Sequence, residues 1–367
     1  MLLKNYLKLT FLLAYVIFIS VSCQENEPEP CCGPQYVPYF PSESGTWSTT
    51  DPSDLDWNLD SINSLYAMLE DNGTRAFIVL HQGRIVLENY WGKTIVGNAD
   101  FKQDSKWYWA SAAKTLTGFT AQKAAQEQQL NLDERTSNYL GEGWTSLTKT
   151  QEDKITIWHQ LTITSGMDDA QRDAMEPENL TYLADARTRW SYHNAPYTLL
   201  EKLVANATGR DFESYFNEKL QSEIGMTGNW QWSGDNHLYL SNARSAARFG
   251  LLMQNYGRWD GKELLERQRA ESAISTSQEL NKSYGYLWWL NGKGSFMLPQ
   301  SQITFAGNLL PNAPEDTYSA MGKTGQYISI SPRSELVIVR MGDSPSQALV
   351  PLLFLDDIWE KMNGVMN

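Results

Sequence analysis

Trp107-Tyr108-Trp109-Ala110-Ser111-Ala112-Ala113-Lys114-Thr115-Leu116-Thr117-Gly118-Phe119 is the stretch around which the rest of the chain is organised. It holds a Ser-x-x-Lys at a predicted helix start, and Leu116, Phe119, Ala124 and Ala125 recur behind it at helical spacing. Serine suits the start of a helix, and a lysine three places on lies over it on the same face. A serine hydroxyl is a weak nucleophile until a base takes its proton, and a lysine accepts a proton only as the neutral amine. Burial among Trp107, Trp109 and Phe119 would disfavour the ammonium form. The helix N-terminus would favour negative charge developing at Ser111. One helical turn can thus carry a nucleophile beside its base.

The pattern occurs twice. Ser146-Leu147-Thr148-Lys149 repeats it within a polar stretch that lacks helical apolar periodicity. What separates the two copies is the rest of the chain.

With 367 residues, 41% of them hydrophobic and 20% charged, the chain is long enough for a large single core or two lobes around a cleft. Its 14 Trp and 18 Tyr suit core packing and, in part, an aromatic-lined cleft for a neutral or apolar substrate. The net charge is −13, from 30 basic and 43 acidic residues, and no basic run or basic-aromatic stripe occurs. Nucleic-acid binding is therefore disfavoured, because it uses clustered Lys and Arg at phosphates. The four histidines show no metal-ligand spacing, so neither a metal nor another cofactor is expected.

Residues 1–22 have the layout of an export signal: Lys4 and Lys8, then an apolar run from Leu9 to Val21 that is short for a membrane span. Ser20-Val21-Ser22-Cys23 resembles the end of a bacterial lipoprotein signal, although the usual upstream Leu is missing. Cys23 is then the expected lipidation site, with residues 23–54 an acidic, Pro-rich tether. The expected partners are a membrane, through that lipid, and a small-molecule substrate, with the protein exported to the cell envelope. Cys31 and Cys32 are adjacent, which suits a mutual disulfide poorly. No cysteine follows, so the body has neither a disulfide nor a cysteine nucleophile.

Leu59 to Leu69 has helical spacing and is closed by Asn72-Gly73. Arg75–Leu80 and Ile85–Trp91 flank His81-Gln82-Gly83-Arg84 as a hairpin, with His81 read as a solvated turn residue. From Ser111 to about residue 280 the pattern is mainly helical, including Tyr197–Ala207, Phe212–Leu220 and Ala243–Tyr256. Ser319–Met321, Tyr327–Ser331 and Leu336–Met341 return to strands, and Leu349–Met362 closes as a helix. This order predicts an α+β fold: one central antiparallel β-sheet made from both chain ends and flanked by helices, with a mainly helical lobe, about 115–280, inserted. The folded domain is expected over 55–362.

Two further polar motifs fall where that architecture would form a cleft. Tyr192-His193-Asn194 is one, and Lys323-Thr324-Gly325, which leads into Gln326-Tyr327-Ile328, is the other. Ser-x-x-Lys, Tyr-x-Asn and Lys-Thr-Gly in this order resemble the serine β-lactamase and penicillin-binding-protein superfamily. The middle tyrosine resembles the class C β-lactamases and related esterases, D-amino peptidases and amide hydrolases. The likeness extends to Ile155–Met167, Ser241–Leu252 and Tyr284–Trp289, and covers roughly 55–362. It implies a β-lactamase/transpeptidase-like fold and an acyl-enzyme hydrolase.

On this resemblance Ser111 is the nucleophile and Lys114 and Tyr192 form the proton relay; which of them takes the first proton is open. An ammonium beside Tyr192 would favour its phenolate. Asn194 would hold Lys114 or a substrate amide, and Lys323, beside Thr324, would add positive charge or bind a substrate carboxylate. Gly325 would allow close approach of the strand to the ligand. The resemblance places the oxyanion hole at the backbone N–H groups of Ser111 and Gln326. His193 either reaches the cleft or is solvated, and Ile163 shapes the pocket. There is no Ser-Asp-Asn, Gly-x-Ser-x-Gly or His-Glu-x-x-His, so deacylation must reuse Tyr192, and an α/β-hydrolase or zincin is disfavoured. The substrate is expected to be an ester, amide or peptide. A peptidoglycan-directed D-amino peptidase or carboxypeptidase and a β-lactamase are the alternatives within the class. A silent cell-surface binding protein is the alternative outside it.

Overall fold

The hairpin and the C-terminal strands meet in one sheet. In the computed structural model, which describes residues 37–43, 46–171 and 173–367, helix α1 (Leu59–Asp71) leads into strands β1 (Thr74–His81) and β2 (Arg84–Tyr90). Gln82 and Gly83 turn between them with φ of 52° and 82°, the left-handed pair that a tight hairpin requires. Strand β3 (Trp107–Tyr108) and helices α2 (Lys114–Gln126) and α3 (Asn194–Thr208) follow. Then come β4 (Gly228–Ser233), β5 (Asn236–Ser241), α4 (Ala243–Gln254) and β6 (Trp289–Leu290). The chain ends with β7 (Tyr318–Gly322), β8 (Gln326–Ser331), β9 (Leu336–Gly342) and α5 (Leu352–Met366).

The sheet order is β2-β1-β9-β8-β7-β6, antiparallel throughout. β1 and β9 pair across more than 250 residues of sequence because both are nearly continuous apolar runs. Such strands are stable only when covered on both faces. Ile328 and Ser329 point to opposite faces. Gly250 of α4 lies against Ile328 and Val337, and Trp359 of α5 donates to Ser329 Oγ at 3.0 Å. Helix α4 therefore covers one face, and α5, packed with α1, covers the other.

The mainly helical inserted segment also carries a hairpin: β4 and β5 turn around Gly234-Asp235, and β5 pairs with β3 in a separate three-stranded sheet. Two sequence expectations change. The tether does not run to residue 54, since Tyr39 N donates to Gln82 O, Trp47 is buried, and Arg248 donates to the carbonyls of Pro41 and Ser42. The last helix continues past 362 to Met366 because Val365 is still core. The export signal, Cys23 and half of the tether lie outside the described residues. Among the described residues, no helix is long and apolar enough to cross a membrane.

Helix α4 approaches the sheet closely enough that a Cβ on Gly250 would stand 2.5 Å from Val337 Cγ1 and 2.9 Å from Ile328 Cγ2. Gly250→Val is expected to destabilise the fold by about 1–3 kcal/mol through overpacking, read as a lowered urea midpoint. An unchanged midpoint would contradict this packing.

Candidate active site

The first Ser-x-x-Lys is fastened on both sides before its helix begins. Trp109 N donates to Tyr239 O at 2.8 Å, and the Trp109 indole donates to Ser241 Oγ at 2.7 Å, tying the segment to β5. On the other side Gly322 of β7 fits so closely that an added Cβ would lie 2.5 Å from Trp109 O and 3.1 Å from Ser111 N. Ala110, held between them, takes φ 48°, a conformation that costs an alanine about 1–2 kcal/mol. A short 3-10 turn, Ala110–Ala113, presents Ser111, and the α-helix proper starts at Lys114. Ser111 is not a side-chain cap. Its Oγ instead lies in hydrogen-bond contact with Lys114 Nζ, at 2.7 Å.

Lys114 is 1% exposed. Its Nζ stands 3.9 Å from the centre of the Tyr197 ring and 4.9 Å from that of Tyr192. Burial holds its pKa well below the ordinary 10.5, opposed in part by the charge of Asp173. Tyr192 is buried on the other side of Ser111, with its ring stacked on Trp289 at 5.7 Å and flanked by Tyr284 and Trp190. Its pKa is pushed up to about 12 by burial, against a smaller lowering from the neighbouring Ser111 hydroxyl. The Tyr192 hydroxyl is close enough to Ser111 to feel it but makes no hydrogen bond of good geometry among the described residues. The sequence expectation of a favoured phenolate is therefore corrected. No ammonium offsets the burial of Tyr192, so it stands as a phenol.

Asn194 does not hold Lys114. Its Nδ2 donates to Asp173 Oδ1 at 2.6 Å. His193 neither reaches the cavity nor meets solvent: it is 2% exposed, and burial lowers its pKa to about 4. Ile163 is buried away from the cavity with φ 54°, and its carbonyl accepts from Ser191 N at 3.0 Å. It thereby positions the strand-like run that carries Tyr192 rather than shaping the pocket.

The Lys323-Thr324-Gly325 turn is held from beneath by an arginine that the motif does not reveal. Arg340, fully buried in β9, donates to Thr324 O at 2.8 Å and Gly325 O at 2.9 Å, and also to Asn72 O, Asp343 O and Thr74 Oγ1. Gly325 has φ 78°, and a Cβ there would stand 2.7 Å from Arg340 Nη1. The glycine thus makes room for this guanidinium rather than for a ligand. Thr324, at φ 64°, shares a 2.9 Å hydrogen bond with Tyr108. The Gln326 side chain is likewise structural, donating to Thr324 Oγ1 and Gly342 O and accepting from Gly342 N. Gln326 pairs with Gly322 in the ladder, so its backbone lies next to the strand end that touches Ser111 N.

Part of this constellation borders one cavity of about 400 Å³. Ser111, Tyr192, Asn194, Lys323 and Thr324 face it, together with two residues that carry no motif spacing, Asp173 and Tyr197. Leu238, Leu349 and Val350 supply an apolar wall. Among the described residues, no three His, Cys, Asp or Glu side chains gather as metal ligands. The second Ser-x-x-Lys forms no such pair: Ser146 Oγ donates to Leu180 O, and the exposed Lys149 pairs with Glu142 and Asp153.

Comparison with known proteins agrees with the fold. The beta-lactamase family model matches residues 73–347. An uncharacterized protein of Alkalihalophilus pseudofirmus is 25% identical over 308 residues, which span 76% of this chain and 85% of its own. Among solved structures, a Bacillus anthracis protein assigned as a 6-aminohexanoate-dimer hydrolase superposes with a TM-score of 0.64 at 19% identity, covering 89% of each chain. A Bacteroides dorei protein assigned as a β-lactamase has a TM-score of 0.64 at 16% identity, covering 85% of this chain and 99% of its own. EstCE1, a hydrolase with promiscuous acyltransferase activity, has a TM-score of 0.64 at 13% identity over the same shares. At these identities the structural likeness is one of fold. With the family match spanning most of its length, the chain belongs to the beta-lactamase family, a fold family of hydrolases.

Proposed function

We propose that this chain is a serine hydrolase that cleaves an ester or amide through an acyl-serine at Ser111, with Lys114 as first base and Tyr192 as acid. The observation that carries this reading is the 2.7 Å contact between Ser111 Oγ and a fully buried Lys114 amine whose proton affinity burial has reduced. Of the two relay groups, Lys114 is the one that burial leaves ready to accept a proton. Tyr192, kept as a phenol, is the one ready to donate.

Ser111 Oγ attacks the substrate carbonyl carbon as its proton passes to Lys114 Nζ. The developing oxyanion faces the backbone N–H groups of Ser111 and Gln326, which would supply an oxyanion hole. When the bond to the leaving group breaks, Tyr192 gives that group its proton and is recharged from Lys114. Water then attacks the acyl-serine with the same pair in reverse. Lys323 and Thr324, on the cavity rim, would bind the polar end of the substrate, and a carboxylate there suits Lys323. The layout of residues 1–22 supports export, with lipidation at Cys23 holding the enzyme at a bacterial membrane.

Hydrolysis of p-nitrophenyl acetate and butyrate tests the reading, with nitrocefin and D-alanyl peptides run beside them to sort the substrate classes. Ser111→Ala is expected to fall to the buffer rate and Tyr192→Phe to lose about a hundredfold or more in kcat, while Ser146→Ala changes nothing. Full activity in Ser111→Ala would end the proposal. A second prediction follows from the burial of Lys114. A lysine whose folded pKa lies below its unfolded 10.5 binds its proton less well in the folded chain, so stability rises with pH between those two values. Lys114→Met removes that titration. The urea midpoint of the parent protein should therefore gain on that of Lys114→Met as pH rises toward 10.5; a constant gap would mean that the amine is not held neutral.

A further inference from the structure

The β4–β5 hairpin separates two cavities. Asn236 and Leu238 of β5 face the one above Ser111, while His237 between them faces a second, of about 410 Å³, on the opposite side. Helix α3 serves both as well: Asn194 and Tyr197 border the first cavity, Leu199 and Glu201 the second. Trp232 of β4 and Phe212, which follows α3, complete the second cavity, and neither Ser111, Lys114 nor Tyr192 lines it.

A buried carboxylate in this second cavity is short of donors. Glu201 is 5% exposed; its Oε2 stands 2.7 Å from His237 Nδ1, and its Oε1 has no partner among the described residues. Burial raises the Glu201 pKa, and the contact with His237 offsets only part of that cost. His237 cannot serve Oε1 as well, since its other nitrogen lies toward Glu213 Oε1, at 3.5 Å. The other charges lining the cavity are Glu176, Asp211 and Glu213 against one lysine, Lys202. Trp232 lies flat on His237, with ring centres 4.1 Å apart at 6°, yet it is 52% exposed, so part of its indole is open.

A cavity with excess negative charge, an unserved buried carboxylate oxygen and an open indole calls for a cation that donates in its plane and stacks on its face. A guanidinium does both: it is charged at any ordinary pH, its edge offers N–H donors in a fixed fork, and its plane packs on aromatic rings. An ammonium supplies the charge but is a compact, strongly hydrated point with no face to stack. We infer that this second cavity binds a small molecule bearing a guanidinium, which donates to Glu201 Oε1 and packs on Trp232, with Met175, Leu199 and Phe212 around its alkyl part. The site is distinct from the cavity above Ser111 and does not depend on Ser111 being the nucleophile.

Saturation-transfer NMR titrations of the intact protein with butylguanidinium, butylammonium and the neutral butylurea test this. Butylguanidinium is expected to bind with a Kd of about 1 mM or tighter, and the other two about tenfold more weakly. Glu201→Gln and Trp232→Ala should each weaken butylguanidinium binding about tenfold. Asp173→Asn, in the cavity above Ser111, should leave it unchanged. If Glu201→Gln fails to fold, Trp232→Ala, a change at an exposed ring, still decides the matter. Butylguanidinium that does not bind, or binds no better than butylammonium or butylurea, overturns the inference. So does an affinity that survives Trp232→Ala or is lost in Asp173→Asn.

Discussion

The interaction on which this structure turns is the burial of one amine against one hydroxyl. An exposed lysine is an ammonium at neutral pH and no base at all. Lys114 is enclosed by the Tyr192 and Tyr197 rings and by the rest of α2, where the charged form loses its hydration and the charge of Asp173 offsets only part of that loss. Every residue from Lys114 to Gln122 is buried, so α2 is a core helix whose first residue is polar. The fold accepts that unfavourable burial beside Ser111, where the proposed mechanism would use a neutral amine, and stacks aromatic rings around it.

Much of the remaining architecture serves to bring distant segments to that amine. Ser111 is clamped between Tyr239 and Ser241 on one side and Gly322 on the other. Tyr192 is aimed by the backbone bond from Ser191 to the strained Ile163. The Lys323-Thr324-Gly325 turn rests on two of the five hydrogen bonds donated by Arg340, whose other three tie the start of β1 to the end of β9. The pairing of β1 with β9 thus bears directly on the cavity. It sets the guanidinium beneath the turn that forms one wall.

The three motifs could be picked out of the sequence because the proposed acyl transfer would need particular residue types at particular spacings, and three of them in one order are hard to meet by chance. The sheet was legible because fully buried strands read as unbroken β-branched runs at both ends of the chain. The β4–β5 hairpin was not read, although Trp230, Trp232, Leu238 and Leu240 follow a two-residue period about Gly234-Asp235; helical segments on both sides masked it. Arg340 carried a signal of its own, a lone charge between Val337-Ile338-Val339 and Met341, which a buried strand tolerates only with several acceptors at hand. Asp173 and Tyr197 carried none. One sits in an irregular segment and the other on the apolar side of a helix, so only the folded chain reveals that both face the cavity.

The central claim is that Ser111 is made nucleophilic by an amine kept neutral at ordinary pH, and covalent trapping tests it most directly. The intact protein would be treated with a fluorophosphonate across a pH series and the adduct located by peptide mass spectrometry. The account expects a single adduct, on the peptide containing Ser111, whose rate of formation reaches its plateau well below the 10.5 of an ordinary lysine. An adduct on any other residue, or a rate that climbs only as pH approaches that ordinary value, would contradict it.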